Sequence, residues 1–319
     1  MHSQKIHNKK LILPVLIFLA GCLALAAVLY HSYRTNLKQV RAVTELNAIT
    51  YAERLQNDMN RGVAITDTLE EIVLSENGKI DNFQKVAGNL MTDFVQSIQV
   101  APDGVVTDIY PEAGNEAGKI DLIHDESRGE ICRYGRDKNI VTMQGPFDLK
   151  QGGRGIAIRN PVYLECPDGT SAFWGFTIVI IRIPEVFEKS VQALTQFGYD
   201  YCLTKTVSPL SDDTEVVSSS GNILKEPITF EFEFCGSTFG LEVMPTDGWN
   251  HGWNILPQLV FGISIILLLT GLTVIVLVVE RHREILKKMA ITDPLTGLLN
   301  RKGFDEQLKK MIQDDHCIH

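Results

Sequence analysis

The stretch ILPQLVFGISIILLLTGLTVIVLVV at residues 255–279 decides the fold. It carries no charge, begins just after Trp249 and Trp253, and ends in Glu280-Arg281-His282-Arg283 with Lys287-Lys288 close behind. An apolar run of about 18 or more residues is long enough to cross a bilayer as a helix. Tryptophan at one end and arginine with lysine at the other predict that the basic end faces the cytoplasm. The chain before it then reads as a sensor outside the cell, and the chain after it as the opening of an output module.

A second apolar run, Leu11–Tyr30, follows Lys5, Lys9 and Lys10. It predicts a first membrane helix with its N-terminus inside. Two other readings stand beside it. A cleaved signal peptide has an apolar core of about 7–15 residues and would use Ala24-Leu25-Ala26. Leu19-Ala20-Gly21-Cys22 resembles a bacterial lipobox, in which Cys22 is lipidated. The chain stays apolar through Leu23–Tyr30, which favours an uncleaved helix. The middle of the chain lies outside in all three cases.

Charge divides the same way. The formal net charge is −9, yet residues 30–254 hold 19 Lys and Arg against 32 Asp and Glu. An acidic middle with basic ends fits the positive-inside rule and excludes nucleic acid as the partner of the large segment. That segment holds Cys132, Cys166, Cys202 and Cys235, which allow two disulfides in three connectivities. Cys132–Cys166 with Cys202–Cys235 keeps each bridge within one subdomain; buried free thiols are the alternative.

Residues 31–73 predict one long helix leaving the membrane. Leu55, Met59, Gly62, Thr66, Leu69 and Val73 recur at helical steps among polar residues. Such a stripe packs on its own domain, on a second copy, or on both. Ser75-Glu76-Asn77-Gly78 ends it. Phe94–Val100 and Val105–Tyr110 then read as strands around Pro102-Asp103-Gly104, where proline presets φ and glycine accepts a positive one. Pro167-Asp168-Gly169 repeats the device between Gly155–Leu164 and Ala172–Ile181. In the first of these strands Ile156, Ile158, Val162 and Leu164 share one face, and Ala157, Arg159, Pro161 and Tyr163 the other. Ile228–Phe234 and Thr238–Met244 read as further strands.

Several motifs here occur in order: Ala101–Val106, Ile109-Tyr110-Pro111, Gly114-Asn115-Glu116, Gly145–Leu149, Arg159–Tyr163 and Phe173–Phe176. Together, over about residues 89–187, they resemble the CHASE domain, the extracellular sensor of many signalling receptors. The resemblance implies a long helix, a membrane-distal PAS-like subdomain that holds a small-molecule ligand, and a proximal PAS-like subdomain in residues 197–249. In plant cytokinin receptors of this family a threonine lies two residues before the Pro-Val-Tyr proline, and Arg159 stands there. An aspartate that holds adenine has no counterpart; Arg128 is nearest. Arg128, Arg154 and Arg159 favour an anionic ligand instead, because guanidinium binds carboxylate in a bidentate way. Surface placement of these arginines is the competing reading. Arg128, Gln144, Arg154, Arg159 and Tyr163 form the candidate ligand set. Trp174 and Phe176 read as core.

The middle segment carries no His-Glu-x-x-His, Gly-x-Ser-x-Gly or Cys-x-x-Cys motif. His124 and His251 stand alone. Gly152-Gly153-Arg154-Gly155 lacks the Lys-Ser/Thr end of a phosphate loop.

Past the second apolar run, Arg281–Ala290 reads as a charged coupling helix with an Ile285, Leu286, Met289 seam. Asp293, Leu295, Thr296, Gly297, Leu298, Asn300, Arg301 and Phe304 then resemble the entry motif of GGDEF domains, with Lys302 replacing an arginine. That family makes cyclic di-GMP from two GTP with Mg²⁺ as a dimer. Its metal carboxylates and Gly-Gly hairpin lie further along, and the sole Gly-Gly pair here is 152–153. Residues 313–319 depart from the family. The chain as it stands is therefore expected to be a receptor half without catalysis or cofactor; the alternative is an active diguanylate cyclase whose C-terminus lies beyond this sequence. A histidine kinase using His282 or His316 lacks the surrounding motif.

The expected fold class is an α+β membrane protein: a long helix and a tandem PAS-like mixed α/β sensor between two transmembrane helices. The expected division is 1–10 cytoplasmic, 11–30 transmembrane, 31–74 signalling helix, 75–190 ligand-binding subdomain, 191–254 proximal subdomain, 255–279 transmembrane, 280–292 coupling helix, and 293–319 GGDEF start. A homodimer in a bacterial inner membrane, with both termini inside, completes the expectation.

Overall fold

The computed structural model describes residues 2–112, 120–250, 253–293 and 296–315, with side chains from residue 12 to 308. Gly114-Asn115-Glu116, His251, Leu295, His316 and Cys317 lie outside the described residues, as do the side chains of Met311 and Ile312. Two compact units emerge, residues 37–251 and residues 1–36 with 252–319.

In the larger unit the spine is helix α1, His2–Ser75, which begins in the smaller unit. Its stripe is buried as the periodicity predicts: Leu55, Met59, Thr66, Leu69 and Val73 are at most 1% exposed. Fully burying each large apolar side chain contributes about 1.5–3 kcal/mol. Of the packing choices open from the pattern, the stripe takes its own domain. The helix stops where Asn77 and Gly78 turn left-handed and the Gly78 N–H returns to the Val73 carbonyl at 2.8 Å.

Two antiparallel sheets follow. Helix α2 (Phe83–Leu90) leads into β1 (Val95–Pro102) and β2 (Asp108–Tyr110). Helix α3 (Gly129–Lys138), β3 (Thr142–Asp148), β4 (Arg154–Glu165) and β5 (Ser171–Ile183) complete the first module. Its strand order is β2-β1-β5-β4-β3, a PAS-like arrangement. After α4 (Glu188–Gln196), strands β6 (Tyr199–Thr206), β7 (Thr214–Ser219), β8 (Ile228–Phe234) and β9 (Ser237–Pro245) form the second sheet in the order β7-β6-β9-β8.

The first sheet has two distinct faces. Ile98, Ile156, Ile158, Val179 and Ile181 belong to the main core. A Cβ added at Gly62 of α1 would meet Ile158 at 2.8 Å and Ile181 at 3.2 Å, so glycine lets helix and sheet approach closely. Polar anchors fix the register. Thr177 donates to the Thr66 carbonyl at 3.0 Å, and Asn160 donates to Glu70 at 2.6 Å. The strand expected at Val105–Tyr110 is shorter than its alternation implied. Val105 bridges to Asp121 and Val106 bonds the Ile120 carbonyl, so the chain leaves the sheet before β2.

The expected disulfides are not formed, and all four thiols are free. Cys132 lies on α3 near Arg159, and Cys166 is seven strand positions beyond Arg159, about 23 Å at the strand rise. Cys202 pairs with Glu242 across the sheet, five positions beyond Ser237, whereas Cys235 sits in the turn before Ser237. Neither pair approaches the roughly 4.4–6.8 Å Cα separation that a disulfide needs.

In the smaller unit the first part of α1 meets α5 (Ile255–Ile291). Both helices are long and apolar enough to cross a membrane. A Cβ at Gly21 would lie 2.9 Å from Ile266, and one at Gly262 would lie 2.3 Å from Leu25. Small residues bring the two backbones together, as is common between membrane helices. Ser264, Thr270 and Thr273 donate to carbonyls four residues back, so these three hydroxyls are paired on the apolar surface of α5. The unit ends in a tight connection to α6 (Arg301–Asp315). Asp293 accepts from the Thr296 N–H and hydroxyl at 3.0 Å. Gly297 takes a φ of 69°, and Asn300 donates to the Ala290 carbonyl at 2.9 Å. Leu298 and Phe304 are exposed.

Candidate functional site

The face of the first sheet turned away from α1 is built from alternate residues of five strands. Ala101, Ile109, Phe176 and Ile178 form its apolar floor, and Val106, Leu122, Ile123, Ile131 and Cys132 close over it. The closing segment is held by its turn. Gly104 has φ 82°, and a Cβ there would lie 2.4 Å from Ile123, so only glycine permits this approach.

Arg159 projects among these apolar groups. It is 4% exposed, and its Nε and Nη1 have no hydrogen-bond partner among the described residues. Thr142 stands opposite Arg159 in the β3–β4 register, is fully buried, and its hydroxyl is also unpartnered. Gln144, two positions along β3, uses its Nε2 to hold the Ser127 carbonyl at 2.9 Å and leaves its Oε1 unpartnered. Three polar groups on neighbouring strands are thus buried without a mate. Leaving a buried charge unpaired costs several kcal/mol, so this arrangement calls for a counter-charge.

The surrounding charges do not supply one. Asp125 acts on Arg159 electrostatically but is committed elsewhere. Its Oδ1 accepts from the Ser127 hydroxyl at 2.8 Å and from the Ser127 and Arg128 N–H groups at 2.9 Å. Its Oδ2 accepts from the Arg128 guanidinium at 3.1 Å. These bonds, led by the Ser127 hydroxyl, hold the Asp125 carboxyl below the usual range. Burial lowers the Arg159 pKa from its ordinary value, with Arg128 adding like charge, and guanidinium still remains charged. Burial also pushes the Cys132 thiol up, so it is neutral there. Around Cys132 three guanidinium groups, Arg128, Arg133 and Arg159, face the single carboxylate of Asp125.

Of the five nominated residues the structure brings Arg128, Gln144 and Arg159 together. Tyr163 donates to the Arg136 carbonyl and secures α3 to β4. Arg154 is displaced from the site: it donates to the Val216 and Val217 carbonyls at 3.2 and 3.5 Å, tying β4 to the second sheet. Trp174 donates to the Gly78 carbonyl, and Phe176 is fully buried, so both serve packing. His124 bonds Asp121 at 2.8 Å on the surface, and no group that could hold a metal occurs among the described residues. Thr142 escaped sequence reasoning because only the register places it beside Arg159.

A separate cleft of about 680 Å³ lies between α1, the segment before β3 and the second sheet, and none of the five nominated residues lines it.

Solved structures with a similar course include an extracellular ligand-binding receptor from Desulfohalobium retbaense. It has 12% identity and a TM-score of 0.49, over 63% of this chain and 39% of that one. The ligand-binding domain of the Pseudomonas aeruginosa amino acid chemoreceptor PctC, in complex with GABA, aligns at 11% identity and TM-score 0.41, over 65% and 98%. The periplasmic sensory domain of the Campylobacter jejuni chemoreceptor Tlp1 aligns at 14% and 0.41, over 67% and 97%. The chain thus spans about two fifths of the first of these. A search of curated proteins finds no match. The CHASE domain model matches residues 30–215, more than half of the 319 residues. The chain belongs to the CHASE domain family.

Proposed function

We propose that this chain is an extracytoplasmic receptor for a small carboxylate-bearing molecule, anchored by Arg159. The Arg159 guanidinium, 4% exposed with Nε and Nη1 unpartnered among the described residues, carries the reading. A carboxylate neutralises it in the bidentate geometry that guanidinium favours. Thr142 and Gln144 then supply a hydroxyl and an amide oxygen to the rest of the ligand, and Arg128 adds charge at the edge.

The ligand-binding subdomain covers about residues 75–190 and the proximal one about 191–254. Both termini face the cytoplasm, supported by the lysines before the first apolar run and the basic cluster after the second. The receptor works as a homodimer, in which ligand binding shifts α5 against its partner. The motif from Asp293 to Phe304 supports an output of the diguanylate cyclase type, with this chain as the receptor half. Reading the DNA past codon 313 in all three frames tests that output: a metal-carboxylate strand and a Gly-Gly hairpin would make the full protein a cyclase.

Thermal-shift screening of the purified full chain against carboxylates and neutral amides tests the receptor reading. Carboxylates should stabilise the protein, and Arg159→Ala should remove the effect. Stabilisation by neutral compounds alone, or an unchanged response in the variant, would refute it.

A further inference from the structure

The cleft bounded by α1, the segment before β3 and the β8–β9 hairpin is distinct from the face that holds Arg159. We propose that it takes an aliphatic amine, best a short diamine.

Its size, about 680 Å³, falls within the range of small-molecule sites, roughly 300–1,000 Å³. Asn60 and Val63 of α1 form one wall, Ile140 and Val141 before β3 another, and the β8–β9 hairpin from Glu233 to Thr238 the third. Ser237 opens β9 beside the turn of that hairpin, is 2% exposed, and its hydroxyl has no partner among the described residues. A buried hydroxyl without a partner costs about 1–3 kcal/mol, which a ligand N–H would recover.

Charge selects the ligand class. The lining includes Asp212 and Glu233, both exposed at the mouth, and no lysine, arginine or histidine. Asp67 lies near enough to act on Cys235 in the same lining. An ammonium group fits the carboxylates, a methylene chain fits Val63, Ile140 and Phe234, and a second amine reaches the Ser237 hydroxyl. The walls come from both modules, so an occupant would couple to their relative placement.

The test is isothermal titration of the full chain in nanodiscs with putrescine, and with butane-1,4-diol as the uncharged control. Saturable putrescine binding is expected, with no diol binding. The double variant Asp212→Asn/Glu233→Gln should weaken it by about fivefold or more. Ser237→Val should weaken it also, while Glu231→Gln, which removes an exposed charge on the same strand outside the cleft, should not. Circular dichroism of each variant checks that it is folded. The site is overturned by absent putrescine binding, by equal binding of the diol, or by Glu231→Gln weakening binding as much as the double variant. None of these results bears on carboxylate binding at Arg159.

Discussion

Thr142 on β3 stands directly across from Arg159 on β4, and both side chains end in buried polar atoms without a partner among the described residues. Two strands thus aim complementary chemistry at one point of a face whose other buried polar pair, Gln99 and Ser97, is satisfied by its own 3.0 Å hydrogen bond. A sheet built for stability alone would place an aliphatic residue at each position, as it does at Met143 and Ile158 one step away.

The cost of that arrangement is measurable without any ligand. Replacing even a buried ion pair by apolar residues of similar volume is often neutral or stabilising by about 1–4 kcal/mol, and an unmatched ion has less attraction to lose. Arg159→Met should therefore leave the thermal midpoint of the ligand-free chain unchanged or raise it. A loss of more than about 3 kcal/mol would mean that Arg159 already has a structural partner.

The contact between α1 and the first sheet depends on Gly62. Gly62→Val would drive side-chain atoms into Ile158 and Ile181. Chemical denaturation should show a loss of about 1–3 kcal/mol from overpacking.

Burial, with the Asp67 carboxylate adding to it, pushes the Cys235 thiol from 9.0 up to about 12. Between those values the native thiol keeps a proton that the unfolded chain releases. The contribution is therefore intact below about pH 9 and fades as pH rises toward 12. Denaturation between about pH 9 and 11 should show stability falling more steeply in wild type than in Cys235→Ala. Parallel slopes would contradict the shift.

At the far end of α5, Asn300 joins two helices. Its Nδ2 donates to the Ala290 carbonyl, and its Oδ1 accepts from the Gly303 N–H at 3.0 Å. Asn300→Ala should speed amide hydrogen exchange over the first turn of α6, consistent with loss of a cap of about 1 kcal/mol.

Much of the frame is legible in the chain itself. The α1 stripe shows because helical periodicity and burial coincide over many turns. The β4–β5 hairpin shows because Pro167-Asp168-Gly169 separates two alternating runs. What stays hidden depends on partners far away in sequence. Arg154 and Arg159 look alike on one strand, yet five residues change the neighbour from the β7 edge to the interior beneath α3. The cysteine pairs fail for the same reason. Membership in one sheet does not set distance along it, and Cys202 and Cys235 end up at different heights. Strands β6 and β7 carry too many polar residues for alternation to announce them.

The receptor claim is tested most directly by a structure of the full chain bound to a carboxylate that stabilises it. A carboxylate oxygen is expected within about 2.7–3.2 Å of an Arg159 nitrogen, with Thr142 and Gln144 in contact. A ligand bound elsewhere, with the Arg159 guanidinium still unpartnered, would contradict it.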